Sequence, residues 1–161
     1  QEIERLALYL GPGSGATAGP ADLEDFFGVE PEASLADAAA DAFGGKLADA
    51  QAGLRRAAQE GEAGPAAIRA LGLHLGRLRR TLTLAKAGAG LPEAAKASGV
   101  FWKQEREFLR QARAWSLEEL DRLQPEILAA DKTCKTAGSP DQLIAQRLAL
   151  TIAGRARRLG L

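Results

Sequence analysis

No methionine occurs in the 161 residues, and the chain starts at Gln1. A complete translation product begins with Met, so the sequence is expected to be a piece of a longer protein whose partner domains lie upstream. The single cysteine, Cys134, can form no internal disulfide, which points to a reducing, cytoplasmic setting. The one histidine, His74, has no second imidazole and no obvious nucleophile to work with, so a packed, partly buried ring is expected there. Net charge is lacking as well. The 21 Lys and Arg balance 21 Asp and Glu, which argues against a chain-wide electrostatic grip on nucleic acid or anionic membrane. Apolar runs fall far short of a membrane span, and Glu2, Glu4 and Arg5 stand where a signal peptide would be apolar. Aromatics make up only 5%, and few segments are rich in Val, Ile, Thr or Tyr, so strands have little to be built from.

Alanine, leucine and arginine are abundant, and they make a helix-forming mixture. "EIERLALYLG" sets Ile3, Leu6 and Leu10 at helical spacing before Gly11, and "PADLEDFFG" reads as a short helix from Pro20 to the stop at Gly28. Between them, "LGPGSGATAG" (residues 10–19) has the look of a phosphate loop. A Walker A pattern would put its first glycine on Leu10 and its lysine on Ala16, so the stretch is expected to be a flexible turn instead. "VEPEAS" reads as a linker, with a domain boundary near residue 30 and Ser34 and Asp37 as a capping pair for the helix that ends at Gly44 and Gly45. Next comes "KLADAQAGLRRAAQEG", with Leu47, Ala50, Leu54 and Ala58 on one face. Gly64 and Pro65 then open a long helix whose stripe Ile68, Leu71, Leu75, Leu78 and Leu82 is expected to be central to the core. A short helix from Pro92 is succeeded by "FWKQEREFLRQARAW". Ser116 and Glu119 form a capping box for a helix carrying Leu117, Leu120, Leu123, Ile127 and Leu128, bent at Pro125. A last helix, started by Ser139 and Pro140, carries Leu143, Ile144, Leu148 and Ile152. Short connections favour antiparallel neighbours, and the expected fold is an all-α antiparallel helical bundle.

Candidate chemistry is sparse. Cys134, with only Lys132 and Lys135 nearby in sequence, reads as a packed thiol. Asp37 and Asp41 share a helix face at i, i+4, and nothing in the sequence pairs them with histidine or a further acid, so no metal or other cofactor and no catalytic residue is expected. Two basic clusters, Arg77, Arg79 and Arg80 and then Arg155, Arg157 and Arg158, fall toward the C-terminal parts of two helices. A solvated helix end complementing the dipole is one reading; contact with nucleic-acid phosphate is the other. "AAKASGV" mimics a helix-turn-helix, yet Ser98 precedes the turn glycine, and Phe101 and Trp102 stand where base-reading polar residues belong. Phe101 and Trp102 are better used as core or interface anchors.

The ordered set of segments "EIERLALYLG", "ADLEDFFG", "SLADAAADAFGGKLADAQAGLRRAAQEGE", "LGLHLGRLRRT", "AAKASGVFWKQEREFLRQARAWSLEELDRL" and "ADKTCKTAGSPDQLIAQRLAL" resembles the carboxy-terminal half of the delta subunit of the bacterial DNA polymerase III clamp loader. The resemblance covers nearly the whole chain and includes Asp131 and Lys135 before the small loop at 136–139. It implies that residues 1–30 end an AAA+-like lid domain and that residues 31–161 form a helical collar, the oligomerisation domain of the loader ring. In such a ring the partners are the other loader subunits, gamma/tau and delta prime. The sliding clamp would be held through an amino-terminal domain absent here, and primer-template DNA would be met in the assembled complex. The family member is not itself an ATPase, needs no cofactor, involves no membrane, and serves a polymerase activity that belongs to the holoenzyme. Candidate contacts for DNA or partners are the clustered Arg77, Arg79, Arg80, Arg155, Arg157 and Arg158, with Phe101 and Trp102 at an interface; the resemblance adds Lys135 and a loop after it held near the primer-template junction, which here (Thr136, Ala137, Gly138) offers no aromatic to stack on a base. The rival class is a stand-alone DNA-binding helical module using the arginine clusters.

Overall fold

The computed structural model describes residues 29–161, with side chains from Ser34 onward. The two short helices expected before residue 28, the Gly-rich loop between them and the lid reading up to that point lie outside the described residues. From Val29 the chain is all-helical: α1 (Val29–Phe43), α2 (Leu47–Gln59), α3 (Gly64–Lys86), α4 (Leu91–Ala97), a 3-10 turn (Trp102–Gln104), α5 (Glu105–Ala114), α6 (Leu117–Cys134) and α7 (Asp141–Arg158). No strand occurs among the described residues.

Glycine sets most of the helix ends. At the end of α1, Gly45 adopts φ +78°, and this lets Lys46 N donate to Asp41 O at 2.8 Å and Gly45 N to Ala42 O at 3.1 Å. That paired pattern satisfies carbonyls the helix would otherwise leave open. The same pattern closes α2, α3, α4 and α7, each on a left-handed glycine. The start of α1 departs from the linker reading of "VEPEAS": the helix already begins at Val29, so Ser34 lies inside it and caps nothing. Pro31 falls in the first turn, where a missing N–H breaks no hydrogen bond. Ser116 does cap α6, its Oγ accepting from Glu119 N at 3.1 Å. Pro125 sits on the exposed side of α6, which continues through it to Cys134.

The expected stripe on α3 is the axis of the core: Ile68, Leu71, Leu75 and Leu78 are buried and Leu82 packs against them. Helices α1, α4, α5, α6 and α7 all contact α3. Paired contacts give the sense of the packing. Arg79 meets Asp121 at 2.8 Å while Gly72 lies against Ile127, so α3 and α6 are antiparallel. Arg155 meets Glu126 at 2.7 Å while the Cys134 thiol approaches Asp141 O at 3.8 Å, so α6 and α7 form an antiparallel hairpin. Small residues set the close approaches: the Cα of Gly64 faces the Asp141 backbone so tightly that a Cβ would stand 2.5 Å from its carbonyl oxygen. Two leucines carried by the last two helices stay outside the core. Leu128 and Leu143 are exposed, because the helical turn carries each past the buried stripes of Leu120, Leu123 and Ile127 and of Ala145, Leu148 and Ile152.

Candidate functional site

The polar centre of the molecule is a seam between α1 and α5. Besides the backbone turn bonds that close α1, side chains from α5 and just past it donate to carbonyls at its end. Gln111 Nε2 donates to Ala40 O at 2.9 Å, Trp115 Nε1, just past the helix, donates to Phe43 O at 2.9 Å, and Arg110 Nη2 donates to Gly44 O at 3.2 Å. Because a carbonyl only accepts, the bond to Ala40 fixes the Gln111 amide, and its Oε1 is left to accept from His74 Nε2 at 2.7 Å. The proton of the neutral imidazole is therefore on Nε2. Phe43 and Phe108 flank the ring, with centroids 5.0 Å and 5.8 Å away. Burial pushes the His74 pKa down to about 4; the Gln111 hydrogen bond works the other way and the Arg77 charge adds to the lowering. The expectation of a packed histidine holds: the residue is 8% exposed.

Beside this seam lies an open cleft of about 370 Å³. Asp37 and Asp41 line it from α1, His74 and Arg77 from α3, Lys103 from the 3-10 turn and Glu107 from α5. The sequence separates these acids from the histidine by more than thirty positions, and the packing of three helices brings them to the lining of one cleft. Their electrostatics differ. Burial raises the pKa of Asp37, partly offset by Arg56; burial also raises Asp41, reinforced by Asp49, Asp37 and Glu107 and opposed by Lys46. Glu107 goes the other way, held below its ordinary value chiefly by the hydrogen bonds from Arg110, at 2.8 and 2.9 Å. Among the described residues no group of three or more His, Cys, Asp or Glu side chains is arranged to hold a metal ion.

Several of the basic residues singled out in the sequence are engaged within the fold. Arg79 is paired with Asp121, Arg155 with Glu126 and Lys135 with Asp131 at 2.9 Å, while Arg157 Nε donates to Gly45 O at 3.1 Å. Arg80 and Arg158 are exposed and Arg77 lines the cleft. Lys135 sits at the α6–α7 turn, and Arg157 and Arg158 sit at the far end of α7, roughly 25 Å along the helix at 1.5 Å per residue. Only Arg155, Arg157 and Arg158 occupy a last helical turn, so the dipole argument applies to them and not to the cluster at 77–80. Cys134 is buried and its thiol pKa is raised by burial and by Asp141 and Asp131, as befits a packed thiol. Ser98, at the helix-turn-helix-like turn, is buried and satisfied: it accepts from Thr81 Oγ1 and donates to Ala94 O.

Phe101 and Trp102 are not core. They are 49% and 69% exposed, their rings 5.9 Å apart, with Lys103 Nζ 5.4 Å from the Trp102 ring. Of the five aromatic side chains described, Phe43, Phe108 and Trp115 are buried, and these two alone face solvent, next to the residues that line the cleft. No family model, curated protein or solved structure matches the chain. Among the described residues no helix is long and apolar enough to cross a membrane.

Proposed function

We propose that this chain is a non-catalytic assembly domain, of the collar type found in the delta subunit of the bacterial DNA polymerase III clamp loader. The observation that carries the assembly reading is the exposed Phe101–Trp102 pair on a bundle that buries its other described aromatics. Large aromatics left in water are enriched at the centres of protein interfaces, where a partner desolvates them. The clamp-loader form of the reading rests on the order and spacing of the sequence segments. In that setting the collar holds the loader ring in register with gamma/tau and delta prime subunits while ATP is hydrolysed elsewhere, and the sliding clamp is bound by a domain outside this sequence. The rival, a stand-alone DNA-binding module, is weakened by the pairing of Arg79, Arg155 and Lys135 with carboxylates. A pull-down of the folded chain against the other loader subunits tests the proposal: co-purification with them is expected, and a folded chain that captures none of them overturns it. A salt titration on primer-template DNA tests the rival, which needs an affinity that falls steeply with salt.

A further inference from the structure

Leu73 stands 60% exposed on α3 between two cations. Arg69 lies one turn before it and Arg80 two turns after, spacings that put all three on one side of the helix, and all three face solvent. Neither Arg69 nor Arg80 has an ion pair or hydrogen bond among the described residues. The acids of the neighbouring helices are engaged elsewhere. On α6, Asp121 holds Arg79 and Asp131 holds Lys135; on α1, Asp37 faces Arg56 and Asp41 faces Lys46. A large apolar side chain set between two unpaired guanidiniums is matched by a segment whose apolar side chains are flanked by carboxylates.

The chain itself holds such a segment. In "ADLEDFFG" (residues 21–28), Leu23, Phe26 and Phe27 are interleaved with Asp22, Glu24 and Asp25. Residues 1–28 carry five acids against Arg5 alone, a net of −4, and since the whole chain is neutral the remaining residues net to +4. Position agrees with charge. Gly45, just past α1, lies against Arg157 and Leu161 at the end of α7, while Gly64, the first residue of α3, lies against Asp141 at the start of α7. Helix α1 packs on both α3 and α7, so Val29 stands at the end of the bundle where α3 begins. Leu73 is about 14 Å along α3 from that end, and the chain from Val29 back to Leu23 spans roughly 9 Å as helix and 20 Å extended.

We infer that residues 22–27 fold back over this face of α3, with Phe26 and Phe27 against Leu73 and the carboxylates of Asp22, Glu24 and Asp25 against Arg69 and Arg80. The contact uses neither Phe101 nor Trp102, so it stands apart from the assembly reading, which the subunit pull-down tests separately.

Cross-linking of the full chain tests the inference. The buried Cys134 is changed to Ala, and the folding of every variant is checked by circular dichroism. A short bismaleimide is then offered to Ala21→Cys paired with Gly76→Cys, and to Ala21→Cys paired with Leu150→Cys on the exposed side of α7. Gly76 is exposed one turn from Leu73, with open space where a Cβ would stand, so the new thiol leaves the face intact. The link to position 76 is expected within one chain and at least about tenfold faster than the link to position 150, because docking raises the effective concentration of the segment there. That advantage should shrink severalfold in about 1 M salt and disappear when Leu73→Ser, Arg69→Gln and Arg80→Gln are combined. Equal rates at the two positions, an advantage indifferent to salt, or one that survives the triple variant overturns the inference. Linked dimers as the main product at position 76 overturn it in favour of a second copy as the occupant.

Discussion

Gln111 is the residue on which the most depends. It is fully buried, donates to Ala40 O, accepts from His74, and so ties α1, α3 and α5 together at one point. Gln111→Ala removes both bonds and leaves a buried N–H on His74 and a cavity, which together should destabilise the fold by about 3 kcal/mol; chemical denaturation of the two proteins measures it. His74 sets a pH dependence of its own. Its folded pKa, about 4, lies below the ordinary 6.5, so between these values the unfolded chain holds a proton that the folded chain does not. Stability is therefore complete above pH 6.5 and is lost as pH falls toward 4, by about 2 kcal/mol at pH 5. The lowered Glu107 adds to the loss at the acid end, while the raised Asp37 and Asp41 oppose it, so the histidine slope is read most cleanly between pH 7 and 5.5. In His74→Gln that slope should vanish; if it persists in denaturant midpoints across the same window, the buried neutral ring is not its source.

At the scale of the helix, much was legible in the sequence, because the signals that end and start helices are local. The glycines at 45 and 61 stop α1 and α2, Gly64 and Pro65 start α3, Ser116 caps α6, and the stripe from Ile68 to Leu78 is buried as its spacing requires. "VEPEAS" misleads because its proline, a breaker inside a helix, stands at a position where a helix tolerates it. The cleft was illegible for a different reason: Asp37, His74 and Glu107 meet only through the way α1, α3 and α5 cross, and no local pattern encodes that. The exposure of Phe101 and Trp102 was equally hidden, since an aromatic pair at a helix start suits a core or an interface alike. One glycine gives an element-scale test. Gly76 lies inside α3, with nothing within 4 Å of where a Cβ would be and no positive φ to require glycine. Gly76→Ala should thus stabilise by roughly 0.5–1 kcal/mol through the entropy glycine loses in a helix, seen as a higher melting temperature. A lower one would mean that α3 is not continuous through this position.

For the whole molecule, the question is what covers Phe101 and Trp102. The chain has two tryptophans, and they divide cleanly: Trp115 is buried with its Nε1 bonded to Phe43 O, and Trp102 stands in solvent. Acrylamide should therefore quench about half of the emission readily, the accessible part disappearing in Trp102→Phe. Exposed side chains contribute little to folding, so Phe101→Ser with Trp102→Ser should change stability by no more than about 0.5 kcal/mol. An interface centre behaves otherwise. If the pair anchors a partner, the same double change should weaken association by about 2 kcal/mol, roughly thirtyfold, because a desolvated aromatic carries a disproportionate share of binding energy. Adding that partner to the wild-type chain should protect Trp102 from quencher while leaving Trp115 unaltered. An arginine-borne contact elsewhere on the bundle would give the opposite pattern: association that falls with salt, quenching of Trp102 unchanged on binding, and no penalty in the double variant. These two outcomes separate an assembly surface built on aromatics from one built on charge, in a protein where Arg79, Lys135 and Arg155 are already paired with its own carboxylates and Arg157 with a carbonyl.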